Sequence, residues 1–118
     1  MNEADLKNRT KAFALRALKL INAVPNTAAG RAVGGQLARS ATSVAANYRA
    51  ACRGRSKAEF IAKLGVVVEE ADESEFWLEI IIESEMLKPT LVEPLKKEAS
   101  EIVAIMVSSR KSAAKLQK

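Results

Sequence analysis

The chain has no histidine, one cysteine and five aromatic side chains among its 118 residues. Because histidine supplies the imidazole ligands and bases of many sites, its absence excludes Glu-x-x-His metal pairs and Ser-His or Cys-His nucleophiles. The lone thiol, Cys52, cannot form an internal disulfide, which fits a reducing cytoplasm. No apolar run reaches the roughly 18–20 residues that span a bilayer. We therefore expect a cytoplasmic, non-enzymatic protein with no cofactor, no bound metal and no membrane partner.

Acidic residues are also missing from one long part of the chain, the interval between Asp5 and Glu59. Eleven basic side chains lie in that interval, and the acids gather downstream, mostly between Glu69 and Glu85. Soluble domains usually intermix the two signs, so this separation predicts a one-signed basic surface of the kind that meets phosphates. The alternative is that the basic residues are solvated, or pair with the acidic segment across the fold.

What the chain does contain is typical of an all-helical domain: Ala, Leu, Val and Ile supply most of its apolar mass, and Gly and Pro are few. Apolar residues recur at three-, four- and seven-residue steps in four segments. We predict helices over residues 5–24, 27–53, 57–87 and 93–115. Four helices joined by short turns favour an antiparallel up-down-up-down four-helix bundle, a single domain over residues 1–118.

Local signals at the helix ends support these boundaries. Pro25 should stop the first helix, and Thr27 is a suitable N-cap for the second. Ser56 and Glu59 have the spacing of a capping box at the start of the third helix. Pro94 is expected to occupy the first position of the fourth helix, where its missing N–H costs nothing.

The second predicted helix carries a ridge of arginines opposite its apolar stripe. At about 100° per residue, Arg39, Arg49 and Arg53 fall within one sector of about 80°. Arg31 joins them if the helix is continuous through Gly34 and Gly35. The residues predicted to contact phosphates are Arg31, Arg39, Arg49, Arg53, Arg55 and Lys57.

The third predicted helix has more apolar surface than one bundle needs. Val66, Phe76, Trp77 and Ile80 point away from its main stripe, which predicts an interface between copies of the chain. The alternative is a core-facing stripe that wraps wider. The acids of this helix scatter around it, which favours a solvated or paired face over a carboxylate magnesium site. If acidic and basic surfaces meet between subunits, the charge segregation also serves assembly.

Three segments carry a family resemblance: Leu37–Arg53, Ser56–Gly65 and Glu69–Glu79. They resemble the bacterial four-helix-bundle proteins known as 23S ribosomal-RNA intervening-sequence proteins. The resemblance covers essentially the whole chain and is densest from Leu37 to Leu78. It implies a small antiparallel bundle that assembles into a homopentameric barrel, and it implies no catalytic residues.

The resemblance also implies similarity to the accessory variability determinant of diversity-generating retroelements, a basic pentamer that binds nucleic acid and a reverse transcriptase. The implied partners are therefore further copies of the chain, RNA or DNA, and a reverse transcriptase or other acidic protein. This chain departs from other branches at Arg49 and Ala50, where those branches often carry an acidic residue and a glycine. The departure makes the ridge more basic and favours phosphate contact.

These observations predict a non-enzymatic, oligomeric nucleic-acid-binding protein that contacts phosphates with weak sequence preference. A handful of neutralised phosphates corresponds to a slope of about −3 to −5 for the logarithm of affinity against the logarithm of salt concentration. The alternative is a protein–protein scaffold or adaptor whose basic face docks an acidic partner or the neighbouring subunit.

Overall fold

The computed structural model describes residues 1–116, so the last two residues of the predicted domain lie outside the described part. The four helices are α1 Glu3–Ile21, α2 Ala28–Cys52, α3 Lys57–Glu83 and α4 Pro89–Leu116. Each helix packs on its neighbours in the chain, and α1 closes the ring of contacts against α4. The result is a rod with extents of 50 × 21 × 20 Å. The predicted antiparallel four-helix bundle is confirmed.

The core runs along the inner stripe of all four helices. Large side chains that are fully buried come from each of them, including Phe13 on α1, Leu37 on α2, Leu64 and Leu78 on α3, and Ile102 on α4. Each such side chain contributes about 1.5–3 kcal/mol by leaving water. This core aligns the helices and therefore fixes which outward-facing side chains become neighbours.

Side-chain caps hold the N-termini of the first three helices. Asn2 and Asp5 form a complete capping box at α1. Thr27 Oγ1 accepts a hydrogen bond from the Gly30 N–H at 3.0 Å, as predicted for α2. Ser56 Oγ accepts from the Glu59 N–H at 3.1 Å. These caps satisfy amides that would otherwise have no partner in the first turn.

The turn between α3 and α4 differs from the prediction, which extended the third helix to residue 87 and began the fourth at residue 93. Glu85 takes a left-handed conformation, with φ of 61°. The Glu85 and Met86 N–H groups then donate to the Ile82 and Ile81 carbonyls, the pattern of a Schellman motif. Because this motif ends α3 at Glu83, the chain is free to begin α4 four residues earlier than predicted.

The prediction that Pro94 is the first residue of the fourth helix is therefore wrong. Pro89 begins α4, and Pro94 lies inside the helix. Pro89 gives up no helical hydrogen bond at that position, whereas Pro94 lacks the N–H that would reach the carbonyl four residues earlier. A proline signal alone cannot distinguish these two positions when both fall near a helix start.

The first helix also ends earlier than predicted, at Ile21 instead of residue 24, and begins at Glu3 instead of residue 5. After Ile21, the Ala23 and Val24 N–H groups donate to carbonyls three residues back, which tightens the chain into a turn. The second helix continues through Gly34 and Gly35, so neither glycine delays its start.

Candidate nucleic-acid interface

Antiparallel packing converts the charge separation along the chain into a separation between the two ends of the rod. We define the basic half of the bundle as residues 1–12, 41–70 and 103–116, which lie on one side of the helix midpoints. This half holds eleven basic and five acidic residues, whereas the other half of the described chain holds seven basic and nine acidic residues. Positive potential is therefore concentrated at one end.

A groove of about 710 Å³ lies between α1 and α2 and reaches into the basic half. We refer to it as the α1–α2 groove. Four cations line it, Lys7 and Lys11 from α1, Arg49 from α2 and Arg53 from the C-cap of α2, and all four side chains are exposed. The apolar lining comes from Ala14, Leu15, Leu18, Ala45 and Ala46, and the uncharged polar lining from Asn8 and Thr42.

The helical register explains why these four cations meet. Arg49 and Arg53 are four residues apart, which places them on the same face of α2, and the same spacing relates Lys7 and Lys11 on α1. Because α1 and α2 run in opposite directions, the beginning of α1 lies beside the end of α2. Two short rows of positive charge therefore face solvent across one groove.

Among residues 1–116, no carboxylate lies within ion-pair distance of the four groove cations. In the part of the chain that the structure describes, side-chain ion pairs within 4.0 Å involve Arg9, Arg39 and Lys96, and none involves Lys7, Lys11, Arg49 or Arg53. Like charges this close repel one another, and a bound polyanion would remove that repulsion. The groove is thus electrostatically suited to phosphates.

Arg39, predicted as part of the same ridge, has a different environment. Its guanidinium donates to Glu70 at 2.9 Å and also to Glu73, both on α3. The hydrogen bond from Trp77 Nε1, together with Arg39, lowers the pKa of Glu73 below its usual value. Glu73 therefore stays ionised at neutral and mildly acidic pH, so Arg39 is partly neutralised and less available to a phosphate.

The other predicted phosphate contacts are separated along the rod. Arg55 lies in the short turn after α2 and Lys57 is the first residue of α3, at the same end as Arg53, and both are exposed. Arg31 lies 18 residues before Arg49, about 27 Å along the helix axis, and donates to Asn26 at 3.1 Å. The structure thus brings Arg49, Arg53, Arg55 and Lys57 to one end and leaves Arg31 at the other.

Sequence reasoning missed Lys7 and Lys11. The arginine ridge was assigned from the periodicity of one helix, whereas the groove is formed by two. Lys7, Lys11 and Leu18 share one side of α1 at steps of four and seven residues, and this pattern identifies them once α1 is placed antiparallel to α2. The signal was present, but its meaning depended on which helix lay beside that side.

The predicted self-association residues lie on the outer face of α3. Val66 is 36% exposed and Phe76 is 48% exposed, whereas Trp77 and Ile80 are half-buried. The Phe76 and Trp77 rings meet edge to face, with centroids 5.0 Å apart. Trp77 packs against the core on its other side. Phe76 and Val66 are therefore the two members of this set that leave most apolar surface in solvent.

The Cys52 thiol and the carboxylates of the described chain are the remaining groups that could bear on nucleophilic chemistry or metal binding. Burial raises the pKa of the Cys52 thiol, which disfavours the nucleophilic thiolate. Within residues 1–116, no three carboxylate or thiol groups converge in a way that could hold a metal ion. Over the same residues, no helix combines the length and apolar character needed to cross a bilayer.

Comparison with known families gives a direct match. Residues 2–108 match the sequence model of the 23S rRNA-intervening sequence protein family. The chain belongs to this family. The match extends from the N-cap of α1 into the last turns of α4, so it covers the α1–α2 groove and the outer face of α3. The resemblance drawn from the three sequence segments is thus confirmed over nearly the whole chain.

A solved structure supports the same assignment. The chain is similar to a protein with unknown function from the S23 ribosomal protein family of Bacteroides thetaiotaomicron, determined by crystallography at 1.70 Å. The two share 32% sequence identity over 94% of this chain and 99% of that chain, with a TM-score of 0.87. A comparison with curated proteins found no match. Membership in the 23S rRNA-intervening sequence family therefore determines the fold and leaves the function to be argued from the surface.

Proposed function

We propose that this protein is a non-enzymatic, oligomeric nucleic-acid-binding protein that contacts phosphates with little regard to sequence. The observation that carries the proposal is the α1–α2 groove, whose four cations face solvent without a carboxylate partner among the described residues. Cations in this state bind phosphates with release of condensed counterions. Such contacts position a nucleic acid without reading its bases.

The site is centred on Lys7, Lys11, Arg49 and Arg53, with Arg55 and Lys57 extending it around the same end. The other two predicted contacts, Arg39 and Arg31, have less support as phosphate contacts. Arg39 is engaged by two carboxylates, and Arg31 lies at the far end of α2. A bound RNA or DNA would thus lie across the basic half and not along the full length of α2.

The first prediction tests the groove directly. The Arg49→Gln/Arg53→Gln variant should bind a short RNA or DNA at least about tenfold more weakly in low salt, because two phosphate contacts are lost. The slope of log affinity against log salt should become less steep by about two. Both quantities can be measured by fluorescence anisotropy at 50 to 200 mM salt.

A matched control separates this effect from a change in net charge. Arg16→Gln/Lys19→Gln removes the same charge from exposed residues of α1 that lie outside the basic half. It should change affinity by less than about twofold, since its contribution is only a screened long-range field. Equal losses in the two variants would show that net charge, and not the groove, determines binding.

Assembly is the second part of the proposed function. We assign it to the outer face of α3, where Val66 and Phe76 are exposed beside the half-buried Trp77 and Ile80. The assembly proposed is the homopentamer that the family resemblance implies, with five chains of 12.8 kDa each. A ring would multiply the number of grooves and raise the avidity for one nucleic acid.

The second prediction concerns that face. Val66→Gln/Phe76→Gln should raise the protein concentration at which the oligomer is half dissociated by at least about one hundredfold. The reason is that interface aromatics and their neighbours often dominate the association energy. Light scattering after size exclusion measures the mass directly. Leu15→Gln is the control, since Leu15 is 58% exposed on α1, away from α3. A native mass that survives the double substitution would rule out this face as the interface.

A scaffold function is the second candidate, and one observation favours it. Leu15 and Leu18 are 58% and 40% exposed beside the groove cations, a combination that also suits an acidic amphipathic helix. Such a helix could come from a reverse transcriptase, another acidic protein or a second copy of the chain. If Arg49→Gln/Arg53→Gln abolished capture of an acidic helical peptide but left nucleic-acid affinity unchanged, this function would replace the first.

A further inference from the structure

The aromatic rings are not placed where the cations are. Phe13 and Tyr48 are 0% and 2% exposed, and Phe60 and Trp77 pack against the core. Phe76 is exposed but lies on α3, and no aromatic residue lines the α1–α2 groove. Proteins that hold single strands usually stack bases on such rings. A nucleic acid in this groove must therefore be held by its backbone.

The groove also offers little with which to read base edges. Its uncharged polar side chains are Asn8 and Thr42, and Thr42 Oγ1 already donates to the Ala38 carbonyl at 2.7 Å. The rest of the lining is alanine, leucine and the four cations. Unpaired bases would therefore meet no aromatic ring in the groove and few uncharged polar side chains beyond Asn8.

The backbone positions of the four cations are held in a fixed arrangement by the helices that carry them. Lys7 and Lys11 are about 6 Å apart along α1, as are Arg49 and Arg53 along α2. Packed helix axes are about 8–10 Å apart, so the two rows have a defined separation. Two rows with a fixed backbone spacing match a ligand that has a fixed shape of its own better than a flexible strand, which loses entropy when it is held straight.

Charge density points in the same direction. A duplex carries one phosphate per about 1.7 Å of its axis, whereas each strand taken separately carries one per about 3.4 Å. A compact group of four cations therefore meets more phosphates on a duplex than on one extended strand. Since the groove supplies positive charge and no aromatic ring, it gains from the closer phosphates of a duplex and loses little when the bases are paired.

We propose that the α1–α2 groove binds base-paired nucleic acid through its backbone, in preference to single strands. This inference rests on the proposed nucleic-acid-binding function and names the class of ligand for the same site. Both RNA and DNA duplexes present the required phosphates. Whether the groove prefers an RNA or a DNA duplex is therefore left to measurement, and either result is consistent with the inference.

The test compares a 20-base-pair RNA duplex, the DNA duplex of the same sequence and their four separate strands, chosen not to self-pair. Fluorescence anisotropy with the full chain at 50 mM salt should show at least one duplex bound about tenfold more tightly than either of its strands. The slope of log affinity against log salt should be about −3.6 for four neutralised phosphates on the duplex. Equal or tighter binding of the strands would overturn the inference while leaving nucleic-acid binding intact. Failure to bind any of the six molecules would overturn the proposed function as well.

A second variant assigns the preference to the groove. Lys7→Gln/Lys11→Gln should weaken duplex binding at least tenfold and bring the duplex-to-strand ratio towards one, whereas Arg16→Gln/Lys19→Gln should preserve the ratio. Circular dichroism on each variant establishes that the helices are retained. Unchanged duplex affinity in the Lys7/Lys11 variant would overturn the assignment. Loss of the oligomer with unchanged affinity would show that a second copy occupies the groove.

Discussion

Replacement of Gly30 by alanine is expected to destabilise the bundle by about 1–3 kcal/mol, the range seen when extra atoms are forced into tightly packed sites. A Cβ built on Gly30 would lie 1.9 Å from the Pro25 carbonyl oxygen and 3.2 Å from Thr27 Oγ1. The first contact is with backbone, which cannot rotate away. The α1–α2 turn must therefore shift, and the Thr27 cap on the Gly30 N–H shifts with it.

Gly35 provides the matched control because it lies in the same helix and an added Cβ would meet nothing within 4 Å. Gly35→Ala should stabilise the protein by about 0.5–1 kcal/mol, the ordinary gain for replacing glycine in a helix interior. Urea unfolding followed by circular dichroism at 222 nm would measure both variants. A Gly30→Ala protein as stable as the parent would show that the turn does not hold Pro25 against α2.

These two glycines show where sequence reasoning stops. Both lie in the glycine-containing first half of α2, and their neighbours in the sequence do not distinguish them. Gly30 is required because the chain before it folds back on the helix, whereas Gly35 faces open solvent. The difference arises from the path of the turn through Pro25, which local propensity does not determine.

The fold was largely predictable because apolar periodicity and helix caps agree in this chain. The apolar stripe of α2, which includes Leu37, Val44 and Tyr48, is buried opposite the exposed arginines, and the predicted Thr27 and Ser56 caps are present. The predicted helix boundaries were wrong where the backbone conformation, and not the residue type, determines where a helix ends. Glu85 ends α3 in a left-handed conformation that usually belongs to glycine, so no residue-type signal marked that position.

The candidate site was predictable only in part, for a reason that concerns helix pairing. Periodicity places Arg39, Arg49 and Arg53 on one side of α2 but does not say what lies across from each. The structure puts carboxylates of α3 beside Arg39 and lysines of α1 beside the groove arginines. Three arginines that share one side of α2 in the sequence pattern thus differ in the structure. Arg39 is paired with carboxylates, whereas Arg49 and Arg53 face the groove without one among the described residues.

The same reasoning reinterprets the charge separation that is so clear in the sequence. The acid-free interval between Asp5 and Glu59 does not form one surface, because α1 and α2 each pass from one half of the rod to the other. Its central part, with Arg16, Lys19, Arg31 and Arg39, folds to the more acidic half. The lysines and arginine of the second half of α4 join the basic half instead. End-to-end polarity is therefore a property of the topology and not of the interval itself.

Replacement of Arg9 by alanine is expected to destabilise the protein by about 2 kcal/mol, because it leaves a partly buried carboxylate without its partner. Arg9 on α1 donates two hydrogen bonds of 2.7 Å to Glu98 on α4 and a third, of 3.3 Å, to Glu101. The side chains of Arg9 and Glu98 are 24% and 16% exposed. These hydrogen bonds raise the pKa of the Arg9 guanidinium, although partial burial opposes them.

The effect should be large for a single ion pair because of where the pair lies. The interface between α1 and α4 is the smallest of the four helix–helix interfaces in the described chain, so apolar packing contributes least there. A bidentate guanidinium–carboxylate pair also fixes the relative orientation of the two side chains, and this holds α1 in register against α4. By contrast, Arg39→Ala should cost less, since the Arg39 side chain is 48% exposed and the α2–α3 interface is extensive.

A double-mutant cycle separates the pair from the loss of the arginine stem, which also packs on its neighbours. Urea unfolding of Arg9→Ala, Glu98→Ala and the double variant should give a coupling free energy of about 1–2 kcal/mol, with the double variant more stable than the sum of the single losses predicts. The coupling should fall modestly between 0.1 and 1 M salt, because partly buried charges are screened less than exposed ones. Additive losses would mean that Arg9 acts through packing alone, and α1 would then be held on α4 by its apolar stripe.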